Sequence, residues 1–346
     1  MNNIAAMVLA LAIGFTVSAL LGFAVIPWLH KLKFGQTILD IGPSWHKKKQ
    51  GTPTMGGIMF IIGTIAAIAV TVLTDKLIGG NITATGSGAV PAEIKTKFWS
   101  GLLMALSFTF VGFADDYIKV IKKRNLGLTI KQKTIPQLII CLAYLSSLYM
   151  GMGGSPRMFI PFIGDVNMGI FYWIFGVCVI YGAVNAVNFT DGIDGLCSSV
   201  TVTVAVSLGV IAAMRGFFGI SLSAAALAGA CSGFLVWNHN PAKVIMGDTG
   251  SFFLGGMVVA LVYALGCPVI LLPVGLIYVI EAMSDVIQIG YFKATHGKRI
   301  FKMAPIHHHF EMSGWNEKKI VGIFTFINIL GCVTGILLMY FGGYKL

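Results

Sequence analysis

The chain has 346 residues, of which 56% are hydrophobic and only 11% charged, with a formal net charge of +11. Soluble domains carry about a quarter charged residues. This composition therefore excludes a soluble enzyme and predicts an all-α integral membrane protein, a single polytopic domain over residues 1–346. The six cysteines all lie in or beside apolar runs, with no CxxC pair. That spacing indicates neither a metal site nor a disulfide framework and reads as small buried apolar side chains.

Ten apolar stretches are long enough to cross a bilayer as helices. They fall near Ile4–Leu29, Met55–Thr74, Phe98–Ala114, Ile135–Met150, Gly169–Val187, Ser198–Met214, Gly219–Trp237, Ser251–Gly266, Val269–Ile289 and Ile320–Phe341. The first lacks a basic segment before it and reads as a span, not a signal peptide. Charge then orients the bundle. Lys31, Lys33, Lys47, Lys48 and Lys49, six residues between Lys119 and Lys133, Lys243, and six between Lys293 and Lys319 account for 18 of the 24 basic residues. All lie in connections on one side, which the positive-inside rule makes cytoplasmic, with both termini outside. Topology explains the basic excess, and no nucleic-acid partner is expected.

In chain order, the first chemically loaded connection is Gly51-Thr-Pro-Thr-Met-Gly-Gly57, a Gly/Pro turn leading into the second span. Such a turn can present free N–H groups to a phosphate, or be a plain start of a helix. Asp115 and Asp116 follow at the end of the third span, just before Lys119. Acids are rare within membrane helices and mark function when found there, although a solvated helix end explains one alone. Asn185, Asn188, Asp191-Gly192 and Asp194-Gly195 end the fifth span. They form an acidic, amide-ringed turn on the basic side, which topology alone would not produce. Asn238 closes the seventh span, and Asp248 sits between glycines before the eighth, where an N-cap is the simpler role.

Glu281, Ser284, Asp285 and Gln288 recur on one stripe of the ninth stretch, facing protein or a wet cavity and not lipid. His307, His308 and His309 stand in the last long connection. Successive residues of a helix point about 100° apart, so the three cannot share one ion. A division between substrate contact and packing is expected, with His307 and His308 bonding phosphate or sugar and His309 packing.

Carboxylates converging in one place repel one another unless a cation is present, and oxygen-only ligands suit Mg²⁺ or Mn²⁺. Lys49, Lys119 and Lys131 would serve phosphate oxygens. No Walker A sequence or nucleophile elbow is present, so metal-assisted diphosphate chemistry is indicated. A site between membrane helices allows one substrate to be a lipid.

With GTPTMGG at 51–57, ADDYIK at 114–119, NAVNFTDGIDGL at 185–196, MGDTGS at 246–251 and PIHHHFE at 305–311, the chain resembles the polyprenyl-phosphate N-acetylhexosamine-phosphate transferase superfamily over essentially its whole length. The HHHFE and GTPTMGG forms favour its muramoyl-peptide branch over the N-acetylglucosamine branch. The resemblance implies ten spans, a cytoplasmic active site in the bacterial inner membrane, Mg²⁺ and a homodimer. It also implies transfer of phospho-N-acetylmuramoyl-pentapeptide from UDP-N-acetylmuramoyl-pentapeptide to undecaprenyl phosphate, giving lipid I and UMP for peptidoglycan. It makes Asp248 a metal ligand, puts Asp115 and Asp116 at the reacting phosphates, and has Lys119 and Lys131 bind phosphate. Asn188, Asp191 and Asn238 would lie near nucleotide or metal. His307 joins the catalytic residues, and Lys49, Gly192, Gln288 and His308 the substrate contacts.

Three other readings compete. The N-acetylglucosamine branch differs mainly in donor. A CDP-alcohol phosphotransferase would need an Asp-Gly-x-x-Ala-Arg continuation, but Ile193-Asp194-Gly195-Leu196 follows Gly192. A secondary transporter would carry its acids near the midplane, not at span ends on one side.

Overall fold

In a computed structural model of the chain, residues 2–32, 51–84, 91–121 and 127–344 are described. Lys47, Lys48 and Lys49 lie outside the described residues. Among the described residues, nine helices are long and apolar enough to span a membrane. They are α1 (Asn3–Lys31), α2 (Ile58–Leu77), α3 (Pro91–Ile121), α4 (Ile130–Gly151), α5 (Phe171–Thr190), α6 (Leu196–Met214), α7 (Phe218–Asn238), α8 (Gly247–Ala264) and, last in the chain, α12 (Glu317–Phe341). A hairpin of two antiparallel strands, β1 (Arg157–Ile160) and β2 (Gly164–Asn167), joins α4 to α5. The core lies around α7 and α8, whose side chains are buried on nearly all faces. A helix hydrophobic all round needs such a place at the centre of a bundle.

The ninth apolar stretch departs from a straight span. It divides into a short α9 (Leu271–Val274) and α10 (Leu276–Ala294), and the axis turns by 89° between them. Breaking a helix frees backbone groups that hydrocarbon cannot satisfy. Asn328 of α12 supplies partners, accepting from Ile277 N at 3.2 Å and donating to Val274 O at 3.1 Å. The expected stripe on α10 holds: Glu281 and Ser284 are buried, while Met283, Val286 and Ile287 on the other side are exposed. Of the cysteines, five are buried as expected; Cys178 on α5 is exposed.

Contacts sort the helix ends into two groups. At one end β1 bonds to the end of α8 (Phe159 N to Gly266 O, 2.8 Å), and Phe162 N in its turn bonds to Gly342 O beyond α12 at 2.9 Å. Helix α1 runs parallel to α7, with the Trp237 indole donating to Ala19 O at 2.8 Å. The start of α1 and the end of α12 therefore both lie at the hairpin end. The other end collects the termini of α3, α4, α5, α7, α8 and α10 that carry acids, amides and histidines. Among the described residues, Lys119 and Lys133 lie at this second end beside the acids.

Candidate active site

Helix α3 continues past Ala114 to Ile121, so Asp115 and Asp116 stand within a helix and not at its end. Consecutive helical residues diverge by about 100°, and these two meet different neighbours. Asp116 turns to α8. Its Oδ1 accepts from Asp248 N at 3.2 Å, and its Oδ2 accepts from Thr249 N at 2.8 Å and the Thr249 hydroxyl at 2.7 Å. The first N–H groups of a helix lack intrahelical acceptors and favour a negative charge. Asp116 is thus a cap for α8 delivered by another helix. The approach is possible because residue 112 is glycine: a Cβ there would run into the Asp248 carbonyl.

Asp115 turns towards the start of α4, where Oδ1 accepts from Leu128 N at 2.8 Å. Its Oδ2 lies 2.6 Å from Lys119 Nζ and 3.7 Å from Lys133 Nζ. Asp248 is in the first turn of α8, but its side chain does not cap that helix. Oδ2 is paired with Lys119 at 3.0 Å and Lys133 at 2.7 Å, and Oδ1 accepts from Asn188 at 2.9 Å. Asn188 also reaches Ser251 Oγ at 2.8 Å.

The three carboxylates offer oxygen atoms within 4.8 Å of one another. At that separation and an effective dielectric near 20, each pair of like charges repels by about 3.5 kcal/mol. Lys119 and Lys133 offset most of this, yet three acids against two ammonium groups leave one negative charge. An incoming phosphate would be repelled by it. The donor set is all oxygen, the atom type a hard divalent cation takes. The residues present therefore fit a divalent metal, with Asp115, Asp116 and Asp248 as its holders.

Lys133 is the residue that sequence reasoning missed. Lys131 is exposed two positions earlier, on the other side of the first turn of α4. The buried face of α4, formed by Gln137, Cys141, Tyr144 and Leu148, selects it: Lys133 stands one turn before Gln137 on that face. Thr249 and Ser251 were missed for want of any periodic mark.

The other expected residues divide between the cluster and its scaffold. Asp191 is the C-cap residue of α5, half-buried, and Gly192 lies against His307. Asn238 is buried and serves as a clamp. It accepts from Gly195 N at 3.1 Å and donates to Val244 O at 2.9 Å, tying the acidic turn to the 239–246 connection. The glycine amides of GTPTMGG are spent on backbone, Gly56 N on Ile245 O at 2.9 Å and Gly57 N on Met246 O at 3.0 Å. That turn packs the start of α2 against α8, and these two amides are not presented to phosphate. Gln288 binds the backbone of Phe301 at 3.0 Å from both its amide atoms, beside a cavity of about 350 Å³ also lined by Asp285, Lys293 and Arg299.

The histidines lie on the short helix α11 (Ile306–Glu311) and point to separate partners, as their angular spacing requires. His307 Nδ1 is 3.0 Å from Glu281 Oε2 and His308 Nδ1 2.6 Å from Glu311 Oε2. His309 Nδ1 accepts from Lys302 N at 3.1 Å and its ring meets Phe301 edge-on.

Residues 98–266 match the family described as glycosyl transferase family 4, and residues 49–61 match signature 1 of phospho-N-acetylmuramoyl-pentapeptide-transferase. Proteins of that name are similar along nearly the whole chain. One from Clostridium perfringens is 46% identical, covering 94% of this chain and 96% of the relative. One from Desulforamulus reducens is 41% identical over 95% and 94%. The chain belongs to the phospho-N-acetylmuramoyl-pentapeptide-transferase family. Another relative in that family, from Listeria welshimeri, is 41% identical over 95% of this chain and 97% of its own. Within this family the clustered acids of α3 and α8 stand on the two segments, ADDYIK and MGDTGS, that carried the resemblance.

Proposed function

We propose that this membrane protein transfers phospho-N-acetylmuramoyl-pentapeptide from its UDP donor to undecaprenyl phosphate, releasing UMP and forming lipid I. The observation that carries this is near-full-length similarity to transferases of that name. The geometry supports the chemistry in detail. Asp115, Asp116 and Asp248 would hold a divalent cation, for which Mg²⁺ is our assignment. When bound, the ion supplies positive charge to the diphosphate oxygens. Lys119 and Lys133 approach the same carboxylates and would turn to phosphate oxygens as these arrive; Lys131 would add charge at the rim, and Lys49 would supply a further positive charge to phosphate. Asn188 fixes the Asp248 carboxylate. A phosphate monoester has a second pKa of about 6, so the lipid phosphate arrives largely ionised and no side chain need act as a base.

Asp191, Gly192 and Asn238 would frame the nucleotide side, Asn238 by holding the turn in place. His307 would belong to the catalytic group. The connection from Lys293 to Lys319, which bears His308, together with Gln288 of α10 and the cavity beside it, would recognise the lactyl-peptide arm, since uridine, diphosphate and hexosamine are common to the rival donor. We further assign the acid-bearing end to the cytoplasm, both termini to the outside, and the working form to a homodimer of single-domain chains.

The deciding experiment is UMP release from purified protein. It should require both Mg²⁺ and a polyprenyl phosphate and be faster with UDP-N-acetylmuramoyl-pentapeptide than with UDP-N-acetylglucosamine. Equal rates with the two donors would move the chain to the other branch. Topology is checked separately. A cysteine placed between residues 119 and 133 should be labelled only from the cytoplasm, and one between residues 81 and 90 only from outside. Labelling of both from one side would overturn the orientation.

A further inference from the structure

Glu281 and His307 form a buried pair outside the acid cluster. Glu281 lies on α10, is fully buried, and would be costly there without a partner. No lysine or arginine is within ion-pair distance of it among the described residues; its partner is the His307 imidazole, which is equally buried. Each group also keeps one buried polar atom, Glu281 Oε1 and His307 Nε2, without a hydrogen-bond partner among the described residues. Buried polar atoms are nearly always satisfied in folded proteins. Two orphans on one bonded pair point to a ligand that completes at least one of them.

The imidazole has a defined direction. A carboxylate oxygen only accepts, so the nitrogen facing it, Nδ1, carries the proton. That leaves Nε2 as the working nitrogen, and Nε2 lies against Gly192, where any Cβ would collide with the ring. Gly192 is in the Asp191-Gly192 turn that follows Asn188, and Asn188 is bonded to Asp248. Nε2 therefore faces the turn that leads into the acid cluster.

We propose that Glu281 is a positioning residue for the transfer reaction: it fixes the tautomer and orientation of His307 so that Nε2 meets the sugar-diphosphate donor beside the Gly192 turn. This rests on the assignment of His307 to the catalytic group. Carboxylates that hold a reactive imidazole in this way are a recurring arrangement, and the histidine works poorly without them.

The test compares wild type, Glu281→Ala, Glu281→Gln, His307→Ala and the Glu281→Ala/His307→Ala double variant in steady-state UMP release. Melting midpoints are recorded for each. Glu281→Ala should lower kcat by about 10–100-fold with the donor KM changed by no more than about twofold. Glu281→Gln, whose amide oxygen still accepts the Nδ1 proton, should recover most of the rate with a wild-type melting midpoint. The double variant should be no slower than His307→Ala, because both changes remove one device. Glu281→Asp replaces Glu281→Ala if the latter does not fold.

Multiplying effects in the double variant, a Gln variant no better than Ala, or rates that merely follow the melting midpoint would overturn the proposal. A slow His307→Ala beside a wild-type Glu281→Ala would overturn it alone. A wild-type rate for His307→Ala would overturn both it and the assignment of His307.

Discussion

Asp248→Asn is expected to reduce UMP release by about 10³-fold or more at saturating Mg²⁺, with little change in thermal stability. Asp248 is the carboxylate on which the cluster converges, holding Lys119, Lys133 and Asn188 at 2.7–3.0 Å. Under the proposed metal assignment, removing its charge would take away one of three oxygen donors. It leaves the fold intact because both lysines are partly exposed, at 34% and 23%, and can turn to water. Its role is separable from capping, since Asp116 occupies the amides of the first turn of α8. A variant that retains a tenth of the wild-type rate, with an unchanged Mg²⁺ requirement, would remove Asp248 from the metal site.

Asp116→Ala should differ from it in kind. The substitution strips three hydrogen bonds from the start of α8 and leaves the amides of Asp248 and Thr249 unsatisfied. Buried unpaired donors cost about 1–3 kcal/mol each and a lost cap about 0.5–2 kcal/mol, so a destabilisation of about 2–4 kcal/mol is expected together with loss of turnover. Asp116→Asn keeps an acceptor oxygen and should regain much of the stability but little of the activity. Thermal inactivation midpoints and UMP release, measured side by side on Asp116→Ala, Asp116→Asn and Asp248→Asn, check this. An Asp116→Ala variant as stable as Asp248→Asn would show that the cap contributes nothing. Spacing alone gave no ground for ranking Asp115 and Asp116. The structure distinguishes them by their neighbours: Asp116 is tied up by α8, whereas Asp115 is shared between lysines and one loop amide.

The ten apolar stretches could be read from the chain because spanning a bilayer is a local matter of length and transfer free energy. The division of the loops could be read too, since a charge bias is preserved whatever the helices do. Even the gathering of Asp115, Asp116, Asp191 and Asp248 at one end follows from counting crossings. Direction within a helix could not be read this way. Lys131 and Lys133 are equivalent as charges, and only the buried face of α4 selects Lys133. The amides of Gly56 and Gly57 look free until residues 245 and 246, nearly two hundred positions later, take them. Asn238 reads from its place in the chain as a substrate contact, and only the structure shows that its oxygen and nitrogen also tie Gly195 to Val244. The 89° turn at Gly275 is invisible to hydropathy, which sums transfer energy along a window and carries no information about axis direction. What makes that turn tolerable is Asn328, a side chain on another helix. Membrane insertion is decided residue by residue along the chain, whereas hydrogen-bond partnership is decided by which helices pack together, and only the tertiary structure holds that information.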